Sequence, residues 1–308
     1  MSAETHPQQS RRPTVSILSP VHNEETHIDE MVHSIINQTY DNWEIVFVDD
    51  GSTDGTVASI ARLQKTDDRI RLVPPAGKLG KVAAFNAAYE AARGDLIVLL
   101  AGDDRLPASS LATRVSDLAH VAPSSRGLSC YKLCSFSDDR RFDDMVLPKG
   151  DHVSRSGGVL TMTRGLADAL FPIPLELPSE DIWLGASAEY VAEVFVKNPV
   201  VVMEYRIHPG NSNPRGRDFP TMSESMAARH EAWRLLAESS LPLGEERRRH
   251  LENLYSAELH RRAGKVTCIF RVEGLTRAER ASLASMAHPS LYRVRNRFYR
   301  LLSGLQGK

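Results

Sequence analysis

The sequence predicts an α/β protein with a mostly parallel central sheet, helices on both of its faces, and a helical extension at the C-terminal end. Three observations carry that expectation. Apolar runs alternate with helical patterns through about the first hundred residues. The runs are continuous rather than alternating, as in strands buried on both faces. From about residue 216 onward only helical patterns remain.

The elements follow in order. "TVSILSPV" (14–21) is β-branched and apolar and stops at Pro20, so it reads as a strand. After "HNEE", the residues Ile28, Met31, Val32, Ile35 and Ile36 recur at the spacing of one helical face. "WEIVFVDD" (43–50) is a second strand ending in acids, and "GSTDGTVASIARLQK" supplies a turn, cap candidates and a helix. "IRLVP" (70–74) is a short third strand. "GKLGKVAAFNAAYEAARG" is an Ala-rich helix with Gly94 as its stop signal, and "DLIVLLA" is the fourth strand. Strands are also expected at 126–136 and 200–208, and a helix entered from a loop at 177–193. "TMSESMAARHEAWRLLAESS", "GEERRRHLENLYSAELHRRAG", "TRAERASLASMA" and "SLYRVRNRFYRLLSGL" read as further helices. The expected organisation is a lead at 1–13, an α/β domain at 14–215 and a helical region at 216–308.

Composition narrows the function. A chain of 308 residues with 42% hydrophobic content can bury a sizeable core. Its net charge of −1 provides no global field to recruit nucleic acid. Cys130, Cys134 and Cys268 are odd in number and have no ligand-spaced partners, which argues against a disulfide scaffold or structural zinc and for reduced thiols in a cytoplasm. "MSAETHPQQSRRP" has no apolar h-region, so no secretory signal is expected, and no run approaches the roughly 18 apolar residues of a membrane span.

The chemistry-bearing residues sit where strands end. Ligands of parallel sheets bind outside the carboxyl ends of the strands, and "SPVHNEE", "VDDGS" and "AGDD" would converge there. Asp103 and Asp104 are adjacent carboxylates that suit a hard divalent cation such as Mg²⁺ or Mn²⁺, against the plain reading of an exposed acidic turn. Asp49 and Asp50 can accept hydrogen bonds from a ribose or a base, while Thr53 or Asp54 caps the next helix. Glu180 and Asp181, in "PSEDIW", are either first-turn acids favoured by the helix dipole or carriers of a general base. His208, after the last strand, is either structural or a contact to metal or diphosphate.

Taken in order, "VSILSPVHNEETHIDEMVHSIINQTYDNWEIVFVDDGSTDGT", "GKVAAFNAAYEAARGDLIVLLAGDD", "SED" and "YRIHPGNS" resemble the inverting family 2 glycosyltransferases of the GT-A fold, over roughly residues 14 to 213. The first hundred residues carry the specific part of the likeness, and the later motifs are short. The resemblance implies a nucleotide-diphosphate-sugar donor, a hydroxyl acceptor and a divalent metal, Mn²⁺ or Mg²⁺. It implies donor contacts at Pro20, His22 and Glu24, a base- or ribose-reading acid at Asp49 or Asp50, and a basic group at Lys81. It further implies metal and ribose acids at Asp103 and Asp104, with Asp104 the direct metal ligand, a catalytic base at Asp181 supported by Glu180, and a metal or diphosphate contact at His208. One departure stands out: Ala101 and Gly102 occupy the first two places of the family's Asp-x-Asp-Asp motif.

The implied reaction is inverting transfer of a sugar in cell-surface polysaccharide, glycolipid or related glycan synthesis. The alternatives are a non-catalytic nucleotide-sugar-binding relative, for which Ala101 leaves room, and a nucleotidyltransferase. The latter is expected to carry a Gly-rich basic loop after the first strand, where this chain has the acidic, Gly-free "SPVHNEE". The C-terminal end needs its own account. After Glu279 there is no acid, while Arg280, Arg293, Arg295, Arg297, Arg300 and Lys308 follow. Leu291, Val294, Phe298, Leu301, Leu302 and Leu305 fall on one face of that last helix. Residues 289–305 therefore either pack on the catalytic domain or a second subunit of a homodimer, or lie as a peripheral contact on the inner face of an anionic membrane.

Overall fold

The computed structural model describes residues 12–74, 77–208 and 218–302, with side chains described as far as 297. Most of the 1–13 lead, the Pro-Gly turn after His208 and the far end of the 289–305 stretch lie outside the described residues. The chain forms two compact units, Met1–Pro172 with Ala192–Ile207, and Ile173–Val191 with His208–Lys308.

The first unit holds the whole sheet. Its elements are β1 (Val15–Val21), α1 (Ile28–Ile36), β2 (Trp43–Asp49), α2 (Thr56–Gln64), β3 (Ile70–Val73), α3 (Lys81–Ala91), β4 (Leu96–Leu99), α4 (Ser110–Leu118), β5 (Gly127–Phe136), β6 (Met145–Leu147), β7 (Leu160–Thr163) and α5 (Arg164–Leu170). The chain returns to this unit with β8 (Val194–Arg206). Among the described residues the strand order is β3-β2-β1-β4-β7-β5-β6, with β8 added on β5. From β3 to β4 all pairings are parallel, with Ile17 opposite both Ile45 and Val98. Every residue of β2 and β4 is buried, which is why their sequences read as unbroken apolar runs. Beyond β4 the sheet becomes mixed, because β7 runs antiparallel to both β4 and β5 while β8 is parallel to β5.

Three local expectations need correction. The strand expected at 200–208 begins at Val194 and contains Pro199. Proline has no N–H for the ladder, and it is absorbed where the β5–β8 register shifts between Cys130 and Lys132. Gly94 does not cap α3, which ends at Ala91. A Cβ at Gly94 would stand 2.7 Å from the backbone of β1, at Ser16 N and Thr14 O, so close approach requires the glycine. α4, not among the expected elements although Leu111, Val115 and Leu118 recur at helical spacing, inserts the fully buried Arg114. Its guanidinium donates to Leu160 O (2.9 Å), Thr161 Oγ1 (3.0 Å) and Gly158 O (2.7 Å), tying α4 to β7 and the turn before it.

The second unit is helical: α6 (Glu180–Val191), α7 (Phe219–Glu238), α8 (Glu245–Arg262), α9 (Val266–Arg271), α10 (Arg277–Ser285) and α11 (Pro289–Leu302). Asp218 caps α7 by accepting from Thr221 N at 3.0 Å, and Thr276 with Glu279 forms a capping box on α10. Leu254, Ala257, Ile269, Leu275, Leu283, Ala284 and Ala287 make its core. A buried ion pair lies beside that core. Arg261 donates to Glu258 through Nε and Nη2, each at 2.6 Å, and His230 Nδ1 lies 2.8 Å from Glu258 Oε2. Among the described residues no helix is long and apolar enough to cross a membrane.

Candidate active site

The candidate donor site lies on the first unit, at the carboxyl ends of β1, β2 and β4. Two loops are laced together there. Asn23, at φ +57°, donates its N–H to Ser52 Oγ (2.9 Å) and accepts Thr53 N on its side chain (2.8 Å). Asn tolerates this left-handed geometry better than most residues. Glu25 accepts Gly55 N at 2.9 Å and Asp54 accepts Thr56 N at 3.0 Å, but the N-cap of α2 is Gly55, so neither Thr53 nor Asp54 takes the capping position expected of it. Pro20 is half-buried next to the buried last residue of β1, Val21, and His22 stands exposed just beyond, in the loop stiffened by these bonds.

The two acids after β2 are both anchored. Asp49 accepts Ser52 N on its two oxygens at 3.1 and 3.2 Å, closing the turn. Asp50 Oδ1 accepts Leu79 N at 2.6 Å and Gly80 N at 2.7 Å. That bond fixes the approach to α3 and holds Lys81, exposed, at its first position. Of the pair offered by the sequence, Asp49 shapes its own turn and Asp50 reaches across to a second loop.

Asp103 and Asp104 follow β4. Asp104 is buried at 4% exposure, and Oδ1 accepts the backbone N–H of Arg206 at 2.9 Å. Burial lifts its carboxyl well above the usual range, and the charges of Asp103 and Glu24 lift it further, outweighing Arg206. Glu24 is pushed up to about 7 by burial first, then by Asp103 and Asp54. Gly102 is what lets Glu24 approach, since a Cβ there would stand 2.8 Å from Glu24 Cγ and 3.0 Å from Val21 Cγ1. The position following Ala101 is thus filled by Glu24 coming from the β1 loop. The structure brings Glu24, the half-buried Asp103 and the buried Asp104 into one like-charged group.

Arg206 and Arg105 frame this group, and the sequence reading passed over both. Arg206 Nε donates to Asp103 O at 2.9 Å, and its guanidinium pairs with Glu30. Arg105 pairs with Glu30 (2.6 Å) and Glu204 (2.8 Å). Both guanidiniums stack on Phe136, at 4.3 and 3.8 Å from the ring centre. The available signal was a basic residue at the last position of the strand preceding His208.

The other expected residues belong to the second unit. Asp181 is the second residue of α6; Oδ1 is buried without a hydrogen-bond partner among the described residues, and Oδ2 lies 3.6 Å from Arg229 Nη2 on α7. Glu180 is buried and accepts Ser179 Oγ at 3.1 Å. His208 is half-buried at the point where the chain re-enters this unit. Among the described residues no three His, Cys, Asp or Glu side chains are assembled as a metal site. The oxygen donors of Asp103 and Asp104 nevertheless fit a hard divalent cation. Such ions accept few protein ligands and complete their shell with phosphate and water, and a positive charge would relieve the repulsion that raises Asp104.

Comparison with known proteins agrees with this geometry. The sheet and its helices share the GT-A glycosyltransferase fold with solved structures across nearly the whole chain. S. aureus TarS in complex with UDP-GlcNAc matches at a TM-score of 0.63 and 16% identity, over 94% of this chain and 92% of that one. A mannosyltransferase, PcManGT from Pyrobaculum calidifontis in complex with GDP-Man and Mn²⁺, matches at 0.53 and 20%, over 96% and 90%. Residues 16–120 match the model "Glycosyl transferase family 2", and the chain carries a domain of that family. The putative teichuronic acid biosynthesis glycosyltransferase TuaG of Bacillus subtilis is 37% identical over 94 residues, which are 30% of this chain and 37% of that protein. The Escherichia coli UDP-Glc:alpha-D-GlcNAc-diphosphoundecaprenol beta-1,3-glucosyltransferase WfgD is 36% identical over 102 residues, 33% of this chain and 40% of that protein. The matched region thus spans well under half the length of either relative.

Proposed function

We propose that this protein transfers a sugar from a nucleoside-diphosphate donor to a hydroxyl acceptor with inversion at the anomeric carbon, in the synthesis of a cell-surface polysaccharide or glycolipid. The observation that carries this reading is the cluster of carboxylates, Glu24, Asp103 and the buried Asp104, at the end of β4 in the region that matches the family 2 model. The ligands of structural neighbours support it: TarS is seen with UDP-GlcNAc and PcManGT with GDP-Man and Mn²⁺. Names among the relatives, such as teichuronic acid biosynthesis and glucosyl transfer to a diphosphoundecaprenol-linked sugar, support envelope glycans as the acceptor class.

In this reading Asp104, with Asp103, holds Mn²⁺ or Mg²⁺, which when bound neutralises charge developing on the departing diphosphate. Asp49 and Asp50 stiffen the turn that receives the nucleoside, and Asp50 also presents Lys81 through its bonds to Leu79 and Gly80. Pro20, His22 and Glu24 form the opposite lip, and His208 contacts the diphosphate or the metal. Asp181 is the general base. Its buried Oδ1 has a lone pair uncommitted among the described residues, as an acceptor of the substrate hydroxyl proton requires, and Glu180 supports it from the preceding position. A single base and a single displacement invert the reacting carbon. The three cysteines are all free, which supports a reducing, cytoplasmic setting.

The test is direct. Purified protein is incubated with UDP-, GDP- and dTDP-sugars, Mn²⁺ and cell extract as acceptor source, and diphosphate release is measured. One donor is expected to support release, Asp104→Ala to abolish it, and Asp181→Asn to lower kcat by about 10²–10⁴ with donor affinity retained. No release with any donor overturns the reading.

A further inference from the structure

We propose that the outward face of α11 is a docking surface for an anionic lipid membrane. The helix is fixed to its unit by its other sides. The Tyr292 ring lies 5.9 Å from that of Phe219, and Arg295 Nη1 donates to Ser285 Oγ at 2.8 Å. Tyr292, Arg293, Asn296 and Arg297 line a cleft of about 400 Å³ shared with Asp218 and Phe219 at the start of α7. At about 100° per residue, Leu291 and Val294 point almost opposite to Tyr292 and Asn296. They are 37% and 52% exposed, so the apolar stripe is not what packs this helix onto its unit. The sequence repeats apolar residues at 298, 301 and 302, at the same helical spacing.

The charge pattern selects the occupant. Arg297, exposed, falls on one flank of the stripe, Arg295 on the other flank is held by Ser285, and no Asp or Glu occurs after Glu279. A second copy docked face to face by two-fold symmetry would bring these arginines against their own equivalents. An anionic bilayer supplies what both parts of the face require: an apolar boundary for Leu291 and Val294, and phosphate groups for guanidiniums that snorkel from the flanks. With no spanning helix among the described residues, the contact is peripheral and reversible.

Co-sedimentation of the full chain with vesicles tests this. Binding is expected to vesicles of phosphatidylcholine mixed with phosphatidylglycerol, not to phosphatidylcholine alone, and to weaken as salt rises. The double substitution Leu291→Asp/Val294→Asp is expected to lower partitioning at least tenfold, with unchanged far-UV dichroism and melting. Arg297→Gln, at an exposed position, is expected to lower it roughly fivefold, the equivalent of one surface arginine. Three outcomes overturn the proposal. The mixed vesicles bind nothing, the Arg297→Gln and salt arms leave binding unchanged, or sedimentation velocity shows a homodimer that Leu291→Asp/Val294→Asp dissociates.

Discussion

Asp104 in the first unit and Glu258 in the second are both buried carboxylates, at 4% and 1% exposure, in opposite electrical surroundings. Burial raises both. Around Glu258 the hydrogen bonds from Arg261 and His230 outweigh it and hold the carboxyl below the usual range. Around Asp104 the near neighbours are Asp103 and Glu24, which add to the burial, and its one strong hydrogen bond comes from a backbone N–H. A buried acid that serves stability is paired within the chain. A buried acid facing its own kind is costly, and the cost has a purpose if a cation or a ligand completes the site. The same contrast separates a residue whose loss weakens the fold from one whose loss removes function.

Breaking the paired acid has the largest expected effect on stability. Glu258→Gln leaves Arg261 buried without its counter-charge, and denaturant unfolding is expected to show a loss of about 3–5 kcal/mol. A loss below about 1 kcal/mol would place the stabilisation elsewhere in the second unit. Substitution in the like-charged group has the opposite sign. Glu24→Gln removes a group that resists ionising in the folded state, in protein free of metal and donor. Below pH 4.5 both states hold the proton. Between 4.5 and about 7 the unfolded chain releases it first, so native stability falls as pH rises through that window. The variant is therefore expected to match the native protein in acid and to exceed it by about 1–2 kcal/mol above neutrality, after allowance for the partial exposure of Glu24. Parallel pH–stability curves for the two proteins would remove the claim that Glu24 is held protonated. At the small end, Arg62 and Asp29 are paired on the surface at 2.5 Å with about half of each side chain exposed. Asp29→Asn is expected to change unfolding by less than about 0.5 kcal/mol.

The sequence made one side of this contrast readable. The acids at 49, 50, 103 and 104 follow unbroken apolar runs, and a run that long is a buried strand whose end must be a turn. The helices from 219 onward were visible by length and periodicity, except α9, whose six residues are too few to show a period. What escaped was set by distance along the chain. The bond from Arg206 to Asp104 joins residues 102 positions apart, and Arg114 finds its acceptors 44 to 47 positions away. β6 and β7, of three and four residues, take their place in the sheet from pairing partners rather than from local pattern. The perturbation of Glu24 could not be read from "HNEE", since it arises from Asp103 meeting it across β1 and β4 and from a glycine that leaves room. Asp181 was legible as a first-turn acid or a general base, whereas its oxygen without a partner among the described residues and its proximity to Arg229 depend on the packing of α6 with α7.

The central claim is that Asp104, buried beside the like charges of Asp103 and Glu24, binds a metal–diphosphate donor. Thermal unfolding with UDP or GDP, with and without Mn²⁺, on the native protein and Asp104→Asn tests it most directly. One nucleoside diphosphate is expected to raise the melting temperature of the native protein only when Mn²⁺ is present. Asp104→Asn is expected to melt no lower than the native protein when ligand-free and to lose that response. An Asp104→Asn protein that responds to nucleoside diphosphate and Mn²⁺ as the native protein does would contradict the account.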